Sequence, residues 1–284
     1  MNDLVHIDGA PRPRTSPREI ARIAANLTAV CAIGAIVLGG VYLGTERYQE
    51  AARRASERHA VTDLLALPAD ANVLEVSQSL DPAQRLVVYR AKTYGADDAT
   101  ARVLVFGLDG TPHVGGAPAG KTQSLGRFFV GRVGGATAGF VIEGETRGYK
   151  NQIRFFVALD STYHVAGVRV IEHQEDPGLG AEVATAWFTG QFVGRSSEQV
   201  TALDVTKTPM PEDWRGALSQ LAHEGSAVWR SRNAALVARE DAKPVYAVTG
   251  ATISSRALTN GVRATVEHFR RRWALLAPQL GERP

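Results

Sequence analysis

IRFFVALDSTYHVAGVRVIEH, residues 153–173, is the stretch that decides the fold. Two runs rich in β-branched and aromatic residues, Ile153 to Asp160 and Val165 to His173, flank the turn Ser161-Thr162-Tyr163-His164, a pattern that predicts a β-hairpin. Upstream, RLVVYRA (85–91), ARVLVFGLDG (101–110), GRFFVGRVGG (126–135) and AGFVIEG (138–144) are strand-like runs separated by Gly, Pro and Asp turn signals, so the middle of the chain reads as a sheet. Downstream, helical patterns cover about 181–193 and 212–239, and a last long helix starts near Ser254 or Ser255. In it Leu258, Val262, Val266, Phe269 and Trp273 recur at helical spacing as one apolar stripe. Arg270, Arg271 and Arg272 read as cations matched to the dipole in its last turns. The fold class is therefore α+β: an N-terminal transmembrane helix, then a mixed or antiparallel sheet with packed helices.

Composition narrows the chemistry. A chain of 284 residues with 44% hydrophobic content is not wholly disordered. Lys+Arg 32 against Asp+Glu 29 leaves a net charge of only +3, scattered along the chain, which argues against nucleic acid as a partner. One cysteine, Cys31, excludes an internal disulfide, a chain-borne iron–sulfur cluster and a Cys-based zinc finger, so any redox chemistry comes from a bound cofactor. His173, Glu175 and Asp176 share a turn without metal-ligand spacing, and no metal site is predicted.

The N-terminus carries its own signal. IAANLTAVCAIGAIVLGGVYL (23–43) has no charged side chain over roughly 20 residues, about 30 Å of helix, enough to span a bilayer. Ser16, Pro17 and Glu19 supply an N-cap, N1 and N3 just before it. Arg12, Arg14, Arg18 and Arg22 place residues 1–22 in the cytoplasm by the positive-inside rule, with the remainder exported to the periplasmic side. The apolar run is longer than a signal-peptide core and lacks a small-x-small site before Thr45-Glu46-Arg47, which favours an anchor over a cleaved signal. Cys31 reads as a small packing residue within it. Residues 44–80 read as a stalk or first helix stopped at Pro68, and 81–284 as the exported domain.

The chemistry sits before the last helix. Val248-Thr249-Gly250-Ala251-Thr252-Ile253-Ser254-Ser255 places hydroxyls and small residues on a strand-to-helix turn, where free N–H groups favour an anion such as phosphate and Ser254 or Ser255 is placed to cap. On residue types alone this is equally an ordinary helix start. Thr249-Gly250-Ala251-Thr252-Ile253-Ser254 resembles the S/T-G-A-T-x-S/T flavinylation motif of the FMN-binding domain in the G subunit of Rnf-type electron transport complexes, related to the C subunit of the sodium-translocating NADH:quinone oxidoreductase. Glu172-His173-Gln174-Glu175-Asp176-Pro177-Gly178-Leu179-Gly180 resembles that family's H-x-E-T-P-G-L-G, followed by Trp187, Gln191-Phe192 and Gly194. Gly148-Tyr149 before the strand ending in Asp160 is a third match, and together they cover about 144–275. Tyr246 stands where the family usually has aspartate, and Asp176 replaces a threonine.

The resemblance implies FMN joined by a phosphodiester to Thr252, with Thr249, Gly250, Ala251, Ser254, Ser255, Glu175, Pro177, Gly178, Leu179 and Gly180 around the cofactor. It also implies a maturation partner, a flavin transferase of the ApbE type using FAD and a divalent metal. The other partners implied are membrane subunits of a Rnf-type complex that couples electron transfer between ferredoxin and NAD to ion movement. This chain would be its electron carrier, with no catalytic residues of its own. A helix dipole alone gives a bound phosphate about 0.3–1 kcal/mol, too little for retention in an open compartment, which a covalent tether remedies. Trp187 and Phe192 read as core. Two alternatives stay open: the same domain in a sodium-pumping quinone reductase or another envelope chain, and a flavin-free anchored binding module.

Overall fold

The computed structural model describes residues 16–116, 118, 120–221 and 226–281. It divides into two compact units, 1–57 and 58–284. The described part of the first is helical, within α1 (Pro17–Leu64). Ser16 and Glu19 close the expected capping box: the Glu19 N–H donates to Ser16 Oγ at 3.3 Å and the Ser16 N–H to the Glu19 carboxylate at 3.0 Å. Pro17–Tyr42 has mean hydropathy 2.0 and is long and apolar enough to cross a membrane. Its Ile23, Leu27, Ile36 and Leu38 are exposed, as a lipid-facing surface requires. Arg12 and Arg14 of the orientation argument lie outside the described residues.

The second unit is built on a seven-stranded sheet: β1 (Asn72–Asp81), β2 (Leu86–Thr93), β3 (Arg102–Gly107), β4 (Gln123–Val133), β5 (Ala136–Arg147), β6 (Gln152–Asp160) and β7 (Val165–Glu172). The order is β3-β2-β1-β4-β5-β6-β7 and every pairing is antiparallel, with β6–β7 the expected hairpin. Of residues 44–80, read as a stalk or first helix stopped at Pro68, the part up to Leu64 is helical and the part from Asn72 is a strand. The helix ends at Leu64, Ala66 turns at φ +49, and Asn72–Asp81 is a strand paired on both edges. Its sequence, NVLEVSQSLD, hides this because each face of the strand is only partly apolar: Val73 joins one core and Val76 the other.

The helical stretches are shorter than the periodicity implied. Residues 180–192 form a 3-10 turn, α2 (Ala186–Thr189) and a second 3-10 turn. After α3 (Ser197–Thr201) and the short β8 (Val205–Thr206), the region 212–239 is divided into α4 (Glu212–Gln220), α5 (Ser226–Arg232) and α6 (Ala234–Glu240). β9 (Val245–Tyr246) then pairs in parallel with β8 and leads to α7 (Thr252–Leu280). α7 begins before both serines, with Ala251 as its N-cap, and stops at Gly281, φ +75. Arg270–Arg272 therefore precede its last turns. Arg270 instead pairs with Glu198 and lies 5.3 Å over the Tyr163 ring, and Arg271 pairs with Glu267 at 2.5 Å.

The stripe on α7 packs one face of the sheet, where Phe128, Phe140, Phe269 and Trp273 meet with ring centroids 4.8–6.1 Å apart. Trp187 and Phe192 are buried in the same core, as expected. The other face buries Val73, Phe129, Val141 and Phe156 against Ala60, Val61 and Leu64. Beyond that patch an alternating ladder of charge crosses five strands, Glu75–Arg127–Glu143–Arg154–Glu172. Burial pushes the Glu143 carboxyl up, but its two guanidinium partners hold it below its ordinary value.

Helix and sheet approach closely at Gly261, where a Cβ would stand 2.9 Å from the Phe155 ring and 3.0 Å from Thr146. Gly261→Val is expected to cost about 1–3 kcal/mol by overpacking. Urea unfolding of the full chain in detergent, followed by tryptophan fluorescence, checks this as a lowered midpoint.

Candidate functional site

Three segments meet at the N-terminus of α7: the turn 148–151 between β5 and β6, the loop 173–180, and the turn 248–251. Each glycine-bearing turn has a physical reason. Asp176-Pro177-Gly178-Leu179 closes with the Leu179 N–H on Asp176 O at 3.2 Å, proline second and Gly178 third at φ +73, a type II arrangement. Val248-Thr249-Gly250-Ala251 repeats it, with the Ala251 N–H on Val248 O at 3.0 Å and Gly250 at φ +81.

Glu175 joins all three segments. Its carboxylate is buried and accepts the N–H groups of Tyr149 (3.2 Å), Lys150 (2.9 Å) and Asn151 (3.5 Å) together with the Ser254 hydroxyl. Burial pushes its pKa up, but the Ser254 hydroxyl and the backbone donors outweigh this and hold it below the ordinary value. The packing tolerates no side chain beside it: a Cβ on Gly180 would lie 2.8 Å from Glu175 Oε2, and one on Gly148 would lie 2.5 Å from Oε1. Asp176 pairs outward with Lys150.

These segments enclose an open cavity of about 460 Å³, lined by Tyr149, Glu175, Asp176, Leu179, Gly180 and Gly250–Ser254. Tyr149, Leu179 and Ile253 present exposed apolar surface around it. The hydroxyls of the segment divide sharply. Ser254 serves Glu175. Ser255 Oγ receives the Val248 N–H at 3.0 Å and donates to Ala251 O at 2.9 Å, and Thr259 donates to Ser255 O. Thr249 is exposed and does not line the cavity. Thr252 does, is half-buried, and its hydroxyl has no hydrogen-bond partner among the described residues. It is the first residue of α7, where Ala251 gives no side-chain cap and the N–H groups of Thr252, Ile253 and Ser254 have no intrahelical acceptor. A phosphate ester on Thr252 would meet those donors, and the apolar rim suits a planar ring system.

Every residue expected around the cofactor is thus in these segments, although Ser254 and Ser255 hold the loop together rather than cap the helix. Pro177 and Gly178 shape the loop without lining the cavity. Sequence reasoning missed Lys150, Asn151 and Ile253; the Gly148-Tyr149 pair pointed to the right turn. His173 Nδ1 accepts the Glu175 N–H at 3.3 Å, and no set of three or more His, Cys, Asp or Glu converges as a metal site among the described residues. Tyr246, in the place of an aspartate, is buried, with its hydroxyl on Glu240 at 2.8 Å; nearby Asp241 pairs with Arg230 at 2.9 Å.

Residues 148–267 match the family described as the FMN-binding domain. The G subunit of the Na(+)-translocating ferredoxin:NAD(+) oxidoreductase complex of Acetobacterium woodii is 24% identical over 150 residues, 52% of this chain and 58% of that protein. The G subunit of the proton-translocating ferredoxin:NAD(+) oxidoreductase complex of Clostridium ljungdahlii is 28% identical over 147 residues, 52% of this chain and 62% of that protein. This chain thus matches about three fifths of the length of these two relatives. The G subunit of the ion-translocating oxidoreductase complex of Methanosarcina acetivorans is 21% identical over 252 residues, 88% of this chain and 95% of that protein. Among solved structures, NqrC of Shewanella oneidensis aligns with a TM-score of 0.45 at 14% identity, over 78% of this chain and 99% of that one.

The lowered Glu175 pKa fixes a sign. The network it holds stabilises fully above the ordinary value of 4.5 and is lost as pH falls through the lower folded value. Glu175→Gln should therefore be less stable than the parent chain at pH 6, and the gap should close on acidification below about pH 4.5, as measured by thermal unfolding across a pH series.

Proposed function

We propose that this chain is a single-pass, membrane-anchored electron-carrier subunit of a Rnf-type ion-translocating complex, with FMN bound covalently through its phosphate to Thr252 Oγ1. The observation that carries this reading is the cavity-lining Thr252 hydroxyl, left unengaged while its neighbours Ser254, Ser255 and Thr259 are each committed to a hydrogen bond. The FMN-binding domain match and the names of the relatives support the cofactor and the complex.

Attachment is a phosphoryl transfer without redox change. Thr252 Oγ1 attacks the flavin-side phosphorus of FAD, an O–P bond forms, the pyrophosphate bond breaks, AMP leaves, and the hydroxyl proton passes to solvent. A threonine hydroxyl is a weak nucleophile, so a separate flavin transferase of the ApbE type with a divalent metal supplies the activation. The first-turn N–H groups of α7 would hold the phosphate, Gly250 would let it approach the backbone, and Tyr149, Leu179 and Ile253 would offer apolar surface to the ring. When bound, FMN supplies the one-electron and two-electron chemistry that the side chains lack. The arginines before the apolar span set the N-terminus in the cytoplasm and the flavin domain on the outer side.

Thr252→Ala should carry no covalent flavin, and Thr249→Ala should carry it fully, when each is co-expressed with the transferase. Intact mass and yellow fluorescence in a denaturing gel read the result. Fluorescence persisting in Thr252→Ala, or a parent chain without the FMN mass increment, would falsify the assignment.

A further inference from the structure

Behind the Thr252 loop lies a buried polar cluster that the site itself does not use. β9 is two residues long and has β8 on one side only. On the other side the Gln191 side chain, 3% exposed, takes the part of a neighbouring strand. The Tyr246 N–H donates to Gln191 Oε1 at 2.8 Å, and Gln191 Nε2 donates to Tyr246 O at 3.2 Å. The Tyr246 ring is buried and its hydroxyl donates to Glu240 Oε2 at 2.8 Å. Glu240, 1% exposed, is held at Oε1 by Arg239 (2.6 Å) and Lys243 (3.0 Å). Arg195, also buried, ties the two sides together by donating to Gln191 O at 2.8 Å and Lys243 O at 2.9 Å.

From this cluster to the acceptor hydroxyl the chain has little slack. The Ala247 N–H is fixed on Thr206 O at 3.0 Å, the Val248 N–H on Ser255 Oγ, and the Ala251 N–H on Val248 O. The next residue is Thr252. A buried two-residue strand with a side-chain amide for one neighbour cannot rely on a sheet to set its position, so the polar contacts must do it.

We infer that Gln191 and the Tyr246–Glu240 pair are positioning residues for the Thr252 hydroxyl. They touch no reactant and act through β9 to fix where the acceptor oxygen stands. The inference rests on Thr252 being the site of flavin attachment. It deepens that reading by identifying which buried groups, outside the cavity, govern the rate of attachment. A displacement of about 1 Å in a reacting group costs on the order of a hundredfold in rate, and partial loosening is expected to cost roughly tenfold.

The test measures the rate of FMN attachment to the full-length chain in detergent, with purified flavin transferase, FAD and Mg²⁺, alongside the unfolding midpoint of each variant. Tyr246→Phe, which removes only the hydroxyl, and Gln191→Glu, which sets an acceptor against Tyr246 O, should each slow attachment roughly tenfold. Val130→Ala, a core change on β4, should lower the midpoint without slowing attachment. Hydrogen exchange without the transferase gives a second readout, in which the Val248 and Ala251 amides exchange faster in Tyr246→Phe while that of Val130 does not. Parent-like rates in both Tyr246→Phe and Gln191→Glu would overturn this inference alone. Rates that follow the unfolding midpoint in every variant would do the same. A parent chain that takes no flavin would overturn it together with the reading beneath it.

Discussion

One buried carboxylate organises the site. Taking Glu175 out of water is expensive unless each of its lone pairs meets a donor, and the chain meets that demand with three consecutive backbone N–H groups and one hydroxyl from a helix 79 residues further on. Through these bonds a single group holds the β5–β6 turn, the 173–180 loop and the start of α7 together. The two neighbouring glycines follow from it, since at Gly148 and at Gly180 a side chain would occupy the space that the carboxylate fills. The cavity is the gap left between three segments drawn to one charge.

The sheet supplies the frame for that arrangement. Antiparallel pairing brings the β5–β6 turn and the end of β7 to the same end of the sheet, and α7 crosses the face so that its first turn arrives there too. The charge ladder reaches the same neighbourhood through Arg154 and Glu172. Its alternating order leaves each internal charge flanked by opposite ones, which satisfies a half-buried sheet surface without apolar cover.

Much of this was legible in the residues because it depends on local chemistry. The hairpin turn at 161–164, the Ser16–Glu19 cap and the α7 stripe are short-range patterns, and each formed where its spacing indicated. The two turns beside the cavity were legible through Thr249 to Ser254 and Pro177 to Gly180, where Gly178 and Gly250 adopt the positive φ angles that their turns require. What stayed hidden depends on partners distant in sequence. β1 looked like a stalk because its apolar residues are divided between two cores. The arginines at 270–272 looked like a helix end because the sequence does not show that Pro278 sits inside α7. Ser254 looked like a cap because no local pattern links it to Glu175, and the roles of Gln191 and Glu240 depend on a strand with no second neighbour.

The length of α7 has one more consequence. Thr252 belongs to the helix whose Leu258, Val262, Val266, Phe269 and Trp273 pack into the main core, so the cavity-lining first turn is continuous with the best-buried helix of the domain. Loops that bear function usually open at small cost, but this one runs directly into a helix with a buried apolar face, and that packing opposes its opening. A group carried on that first turn would be positioned by the same packing that seats the helix on the sheet.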